Sequence, residues 1–114
     1  MERQWTLIPD LAAHQAMPAD GTLSRTIYRD DQVKAVLFSF DAGQELSEHT
    51  ASMPAIIQIV QGQADLTLGA ETVAVGPGAW VHMPAGLRHA IVARTPLVML
   101  LLLLKERASA AGDA

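Results

Sequence analysis

Most of the side-chain chemistry this 114-residue chain can offer rests on four histidines, His14, His49, His82 and His89. An imidazole changes charge near neutral pH, ligates divalent metals and hydrogen-bonds through either ring nitrogen, so each one is a candidate site residue. His14 lies in a Pro- and Ala-rich stretch with no other polar group arranged beside it, and reads as a surface residue. His49 and His89 each stand in a glycine-punctuated frame. The first is Gly43-Gln44-Glu45-Leu46-Ser47-Glu48-His49, running on to Gly62. The second is Gly78-Ala79-Trp80-Val81-His82-Met83-Pro84-Ala85-Gly86-Leu87-Arg88-His89. Other local chemistries are absent: there is no G-x-S-x-G elbow, P-loop, G-x-G-x-x-G or H-E-x-x-H. With no cysteine there is no thiol nucleophile, disulfide or Cys-based zinc site. Gly76-Pro77-Gly78 is no phosphate cradle, because its proline removes a backbone N–H. Asp30-Asp31 reads as a turn between strands, not as an acid/base pair.

The elements that must position these histidines are short. Turn residues recur at Ala19-Asp20-Gly21, Asp30-Asp31, Asp41-Ala42-Gly43, Gly62, Gly69, Gly76-Pro77-Gly78, Pro84-Ala85-Gly86 and Thr95-Pro96, with Val-, Ile-, Leu- and Thr-rich segments between them. That spacing predicts an all-β sandwich or barrel. Ala64, Leu66 and Leu68 alternate with Asp65 and Thr67, and Glu71–Val75 follows across Gly69-Ala70, which predicts a hairpin. Val33–Phe40 is a strand with Val36, Phe38 and Phe40 on one face. Ile56–Val60 is apolar on both faces, as in a strand covered on both sides. Leu97–Leu104 carries no period, but its length and the preceding Pro96 favour a strand.

Half of the chain is hydrophobic and 18% is charged, enough for one globular core. The net charge of −4 lacks the basic excess that nucleic acid or an anionic membrane would select. The longest apolar run, Leu97–Leu104, is far shorter than the ~20 residues of a membrane-spanning helix, and no signal-peptide pattern opens the chain. A cytoplasmic protein without membrane or nucleic-acid partners is expected. Between His49 and Leu87 only Asp65 and Glu71 are charged, so this middle section should be buried by its own fold or by a second subunit. A homodimer is the expected assembly.

The two glycine frames resemble the paired motifs of the cupin superfamily. Its second motif (Gly, five residues, Pro, any, Gly, two residues, His, three residues, Asn) is matched in register by Gly78, Pro84, Gly86 and His89, with Ala93 in place of the Asn. Its first motif (Gly, five residues, His, any, His, three or four residues, Glu, six residues, Gly) is matched by Gly43, His49 and Gly62. The second His position holds Ala51 and the Glu position holds Ala55, so this motif is degenerate. The resemblance implies a small jelly-roll β-barrel of the cupin kind. It would span residues 33–104 of a single domain covering 1–114, with 1–32 as an N-terminal strand and loop extension and 105–114 as a polar tail. It also implies that His49 and His89 are the surviving half of a three-His, one-Glu metal cluster. Two imidazoles are fewer protein ligands than a catalytic zinc site uses, and no carboxylate completes an iron triad. Any divalent metal there, whether iron, manganese, nickel or zinc, would depend on other donors.

Met53, Gln58 and Met83 are candidate wall or rim residues of the pocket. Parity turns Gln58 away if Ala55 points inward, unless a bulge near Met53-Pro54 reverses it. Glu48 should point away from His49. His82 should face outward if Val81 and Met83 line the barrel. Arg88 reads as a solvated charge that would favour an anionic ligand if it leaned over the opening. Three functions follow, in order of preference. The first is a module that holds a small molecule, an anion among the candidates, without turnover. The second is a metal-dependent dioxygenase or isomerase. The third is a structural or interaction protein, which predicts a closed, filled barrel.

Overall fold

A computed structural model describes residues 4–105. The polar tail expected over 105–114 lies, apart from Lys105, outside the described residues. Nine strands follow a single 3-10 turn at Leu11–His14: β1 Thr22–Arg29, β2 Val33–Phe40, β3 Glu45–His49, β4 Ala55–Gln61, β5 Ala64–Leu68, β6 Glu71–Val75, β7 Trp80–Met83, β8 His89–Ala93 and β9 Leu97–Leu104. They form a five-stranded sheet in the order β1-β2-β9-β4-β7 and a four-stranded sheet in the order β3-β8-β5-β6, with every pairing antiparallel. Turns at 41–44, 62–63 and 94–96 carry the chain from one sheet to the other, which is the jelly-roll arrangement. No helix of the described residues is long and apolar enough to cross a membrane.

The inner faces of the two sheets enclose the main core of Phe40, Ala55, Ile57, Ile59, Leu66, Met83, Ile91, Leu97 and Met99. The five-stranded sheet also buries its outer face. Ala35, Leu37, Val98 and Leu100 pack there under Leu11, Ile27 and Tyr28 of the N-terminal segment. This explains the periodless run at Leu97–Leu104: β9 is central, and Leu97, Val98 and Met99 are all buried although they point to alternate sides. The hairpin has the expected register, with Ala64 opposite Val75 and Leu68 opposite Glu71. Gly62 turns the chain at a positive φ of 90°. A Cβ there would collide with the Pro96 carbonyl oxygen and stand 2.9 Å from the Leu97 Cα, so only glycine lets the two sheet-crossing turns meet.

Candidate functional site

His89 sits on β8 in alternation with Ile91 and Ala93, and all three face the barrel interior; it is only 6% exposed. His49 reaches the interior by a different route. Leu46 of β3 lies opposite Ile91, and strict alternation from Leu46 would turn His49 outward. Between Leu46 and His49 the register shifts, so that three steps along β3 match two along β8. This β-bulge at Ser47-Glu48 reverses the parity and places His49 directly opposite His89, which is the kind of re-aiming that bulges provide. The two rings lie with centroids 4.1 Å apart and planes tilted by 59°. His49 stands exposed at the rim and His89 lies below it.

Each ring is held by its own backbone. His49 Nδ1 is 2.8 Å from the Ser47 carbonyl oxygen, and His89 Nδ1 is 3.0 Å from that of Leu87. A carbonyl only accepts, so Nδ1 is the donor in both rings. In the neutral rings this leaves both Nε2 lone pairs uncommitted, on rings whose centroids are 4.1 Å apart.

One end of the barrel collects the loops around this pair. The Gly86 N–H donates to the Ala51 carbonyl at 2.9 Å, Gly69 to Arg88 at 2.8 Å, Leu104 to Pro54 at 2.9 Å and Lys105 to Gln32 at 2.8 Å. These bonds tie the Pro84-Ala85-Gly86 turn, the 50–54 loop, the β5–β6 turn and the β1–β2 turn into one mouth. Beneath it lie Ala55, Met83 and Leu103, which occupy one cross-sheet row, and Leu68 beside His89. The opposite end is closed by Phe40, Leu97 and Ala64, all fully buried.

These residues do not fit a metal held by the protein alone. Position 51 presents only its backbone to Gly86, and position 55 is a buried alanine paired with Met83. Among the described residues no three His, Cys, Asp or Glu side chains converge. Two imidazoles fall short of the three protein ligands of an open catalytic site.

The remaining expected site residues separate clearly. Met83 is buried in the core beneath the mouth, and Met53 lies half-buried in the 50–54 loop. Gln58 is a correction: it is exposed and pairs with Trp80 on the outer face, not in the pocket. The bulge of β4 falls after it, between Ile59 and Gln61, so parity keeps Gln58 outside. His82 is exposed on that same outer face. Glu48 and Arg88 flank the two histidines and point away from them, with Arg88 Nη1 and Glu48 Oε1 4.0 Å apart in solvent. His14 is exposed. A surface cleft of about 290 Å³ lined by Thr6, Ile8 and Tyr28 lies on the outer side of the five-stranded sheet, away from the histidines. Lys34 and Arg29 belong to no motif and carry no spacing signal. Lys34 shares a face with Val36, Phe38 and Phe40, so parity alone could have put it on the interior side.

A two-sheet jelly roll with its histidines at one mouth, on a β3 end and after a Pro-x-Gly turn, is the arrangement of a cupin barrel. The Cupin domain family model matches residues 36–103, and the chain belongs to that family. Over its whole fold it is similar to a conserved protein of unknown function from Streptococcus pyogenes, SPY1581. The two are 34% identical with a TM-score of 0.79, covering 95% of this chain and 93% of the other. It is also similar to the cupin superfamily protein DSY2733 from Desulfitobacterium hafniense, at 28% identity and a TM-score of 0.80, covering 91% and 94%. In sequence it is 33% identical over 61 residues to an uncharacterized Streptomyces coelicolor protein, SCO3923. That match covers 54% of this chain and 58% of the other protein's length.

Proposed function

We propose that this cupin is a small-molecule binding module whose ligand enters the mouth and donates hydrogen bonds to Nε2 of His49 and His89, or accepts them from an imidazole that has taken up a proton. The observation that carries the proposal is the pair of adjacent imidazole rings, each with its Nε2 freed by an Nδ1–carbonyl bond, in a setting otherwise lined by alanine, methionine and leucine. A few convergent polar groups over an apolar floor is the general form of a small-molecule site. Ala55, Met83 and Leu103 pack below the pair, as a structural barrel would also have them, so the ligand occupies the mouth and not a deep cavity; the ring nitrogens left free there favour binding over the structural reading.

A divalent ion such as iron, manganese, nickel or zinc on the two Nε2 atoms would be weakly held and exchangeable, because the ligand or water would have to supply the other donors. A metal-dependent dioxygenase or isomerase is therefore the second reading. A homodimer is proposed as the assembly. The outer face of β4, β7 and β9 carries no Asp, Glu, Lys or Arg, and Trp80 is 58% exposed on it.

The test is a fragment screen by protein-observed NMR on chelator-treated wild type and on the His49→Ala/His89→Ala double variant. Fragments that move the mouth resonances of the wild type and not of the variant support the proposal. Stoichiometric metal that survives chelation in the wild type, is lost in the variant and is needed for turnover would replace it with the enzyme reading.

A further inference from the structure

We propose that Lys34 and Arg29 form an anion-reading wall at this same mouth, so that the ligand is a small molecule bearing a carboxylate or phosphate. The inference rests on the pocket reading above and adds the chemical class of its occupant. It starts from strand register. Arg29 lies directly opposite Lys34, Lys34 opposite Leu103, Leu103 opposite Ala55 and Ala55 opposite Met83. Residues directly opposite in antiparallel strands share a face, so this row lies on one side of the five-stranded sheet. Ala55 and Met83 belong to the main core and Leu103 packs against it, so the shared side is the interior one. The neighbours of Lys34 agree, because Ala35 joins the outer cluster while Phe38 joins the inner one.

The row is also level with the histidines. The chain crosses from β2 to β3 at 41–44 and from β8 to β9 at 94–96, so Phe40 and Leu97 lie at the closed end. His49, four residues beyond Glu45, and His89, four before Ala93, therefore face the far ends of β2 and β9, where Lys34 and Leu103 stand. The bond from the Lys105 N–H to the Gln32 carbonyl ties the β1–β2 turn to this same end. At ~4.8 Å per strand, the Lys34 Cα lies roughly 10 Å across the sheet from that of Ala55, within the combined reach of its flexible stem and a ligand of a few carbons. Ala55 is the position where the first motif has lost its carboxylate.

Two like charges set directly opposite each other destabilise a sheet unless something lies between them. Among the described residues neither Arg29 nor Lys34 has an ion-pair partner; the pairs present are Arg88–Glu48 and Arg94–Asp65. The nearby groups do not relieve them. Asp30 spends its carboxylate on the Tyr28 hydroxyl and on the N–H groups of Gln32 and Val33, Asp31 is exposed in the turn, and Lys105 Nζ donates to the Asp30 carbonyl. An oxyanion bridging Arg29 and Lys34, with the rest of its molecule lying over Leu103 and Ala55 toward the histidines, satisfies the whole row. Arg88, the cation adjacent to His89 in sequence, faces away and takes no part.

Succinate and its neutral counterpart succinamide are titrated into wild type, Lys34→Gln and Lys34→Arg, with the ring resonances of His49 and His89 and the amides of residues 29–34 as readout. The expected result is that succinate moves both sets and binds at least tenfold more tightly than succinamide. Lys34→Gln should weaken succinate at least tenfold and Lys34→Arg should restore most of it. Lys34→Gln should at the same time raise the melting temperature by roughly 1–6 °C, because it removes the like-charge pair. Inorganic phosphate that displaces succinate from the same resonances keeps the oxyanion class and assigns it to phosphate esters. Equal binding of succinate and succinamide, or no effect of Lys34→Gln, overturns the anion inference while the pocket reading stands. If succinate, succinamide, phosphate and the wider fragment set all leave the histidine rings unmoved, both fall.

Discussion

Replacing His89 by leucine should leave the barrel about as stable as it is, because this residue occupies a position that a hydrophobe would fill at least as well. His89 is 6% exposed and its ring makes one protein hydrogen bond, from Nδ1 to the Leu87 carbonyl at 3.0 Å. Losing that bond costs about 1 kcal/mol net, and up to about 3 kcal/mol if the carbonyl is left dry. Leu87 is only half-buried and solvent-exposed His49 stands beside the site, so water can reach the carbonyl and the lower figure applies. A leucine packed there beside Leu68 and above Met83 returns about 1.5–3 kcal/mol of apolar burial when burial is complete, and less at a mouth. The two effects cancel to within about 1.5 kcal/mol. Equilibrium urea unfolding of wild type, His89→Leu and Ile57→Ala measures this, with the last as a scale. Ile57 is 2% exposed in the same core, and its truncation should cost about 2–5 kcal/mol. A loss in His89→Leu as large as in Ile57→Ala would refute the reasoning, since the histidine would then be a structural member of the core and its retention would need no ligand.

Gly62→Ala should prevent folding or cost more than about 3 kcal/mol, because the new Cβ meets the backbone of Pro96 and Leu97 where neither can yield; soluble yield and thermal melting check it. The Tyr28 hydroxyl, followed by the Gln32 and Val33 N–H groups, holds the Asp30 carboxyl below its ordinary 3.8. A lowered folded-state value contributes stability above the unfolded value, and that stability is lost as pH falls through the folded one. Wild-type stability should therefore decline below about pH 4 with a slope that Asp30→Asn reduces, as read by urea midpoints between pH 3 and 6. Asp41, lowered by the Asp20 and Ala42 N–H groups, adds to that decline in both proteins. Trp80→Glu places a charge on the uncharged outer face; wild type should sediment as the proposed dimer and the variant as a folded monomer in sedimentation equilibrium.

Much of the architecture was legible because it rests on short-range signals. The Ala64–Leu68 alternation, the glycines Gly43 and Gly62 at two of the sheet crossings and the Pro84-Ala85-Gly86 turn are local, and local rules read them. The uniform run Leu97–Leu104 resisted periodicity because its strand is covered on both sides, and only its length and Pro96 gave it away. The site was half legible. Spacing picked out His49 and His89, but their meeting depends on a bulge at Ser47-Glu48 that no residue there announces, since neither glycine nor proline marks it. Pro54 marks the place where sequence favours a bulge, whereas that of β4 lies beyond Gln58 and leaves it outside. Lys34 was within reach of parity once Val36, Phe38 and Phe40 were set on one face. Its significance depends on Arg29 across the strand pair, a relation that register fixes and sequence does not.

The most direct test of the central claim is a set of crystal structures of chelator-treated protein soaked with the fragments that bind in solution. The account predicts ordered ligand density at the mouth, within hydrogen-bonding distance of Nε2 of both His49 and His89. A mouth that stays free of every solution-binding fragment, with both Nε2 atoms turned to protein groups instead, would contradict it.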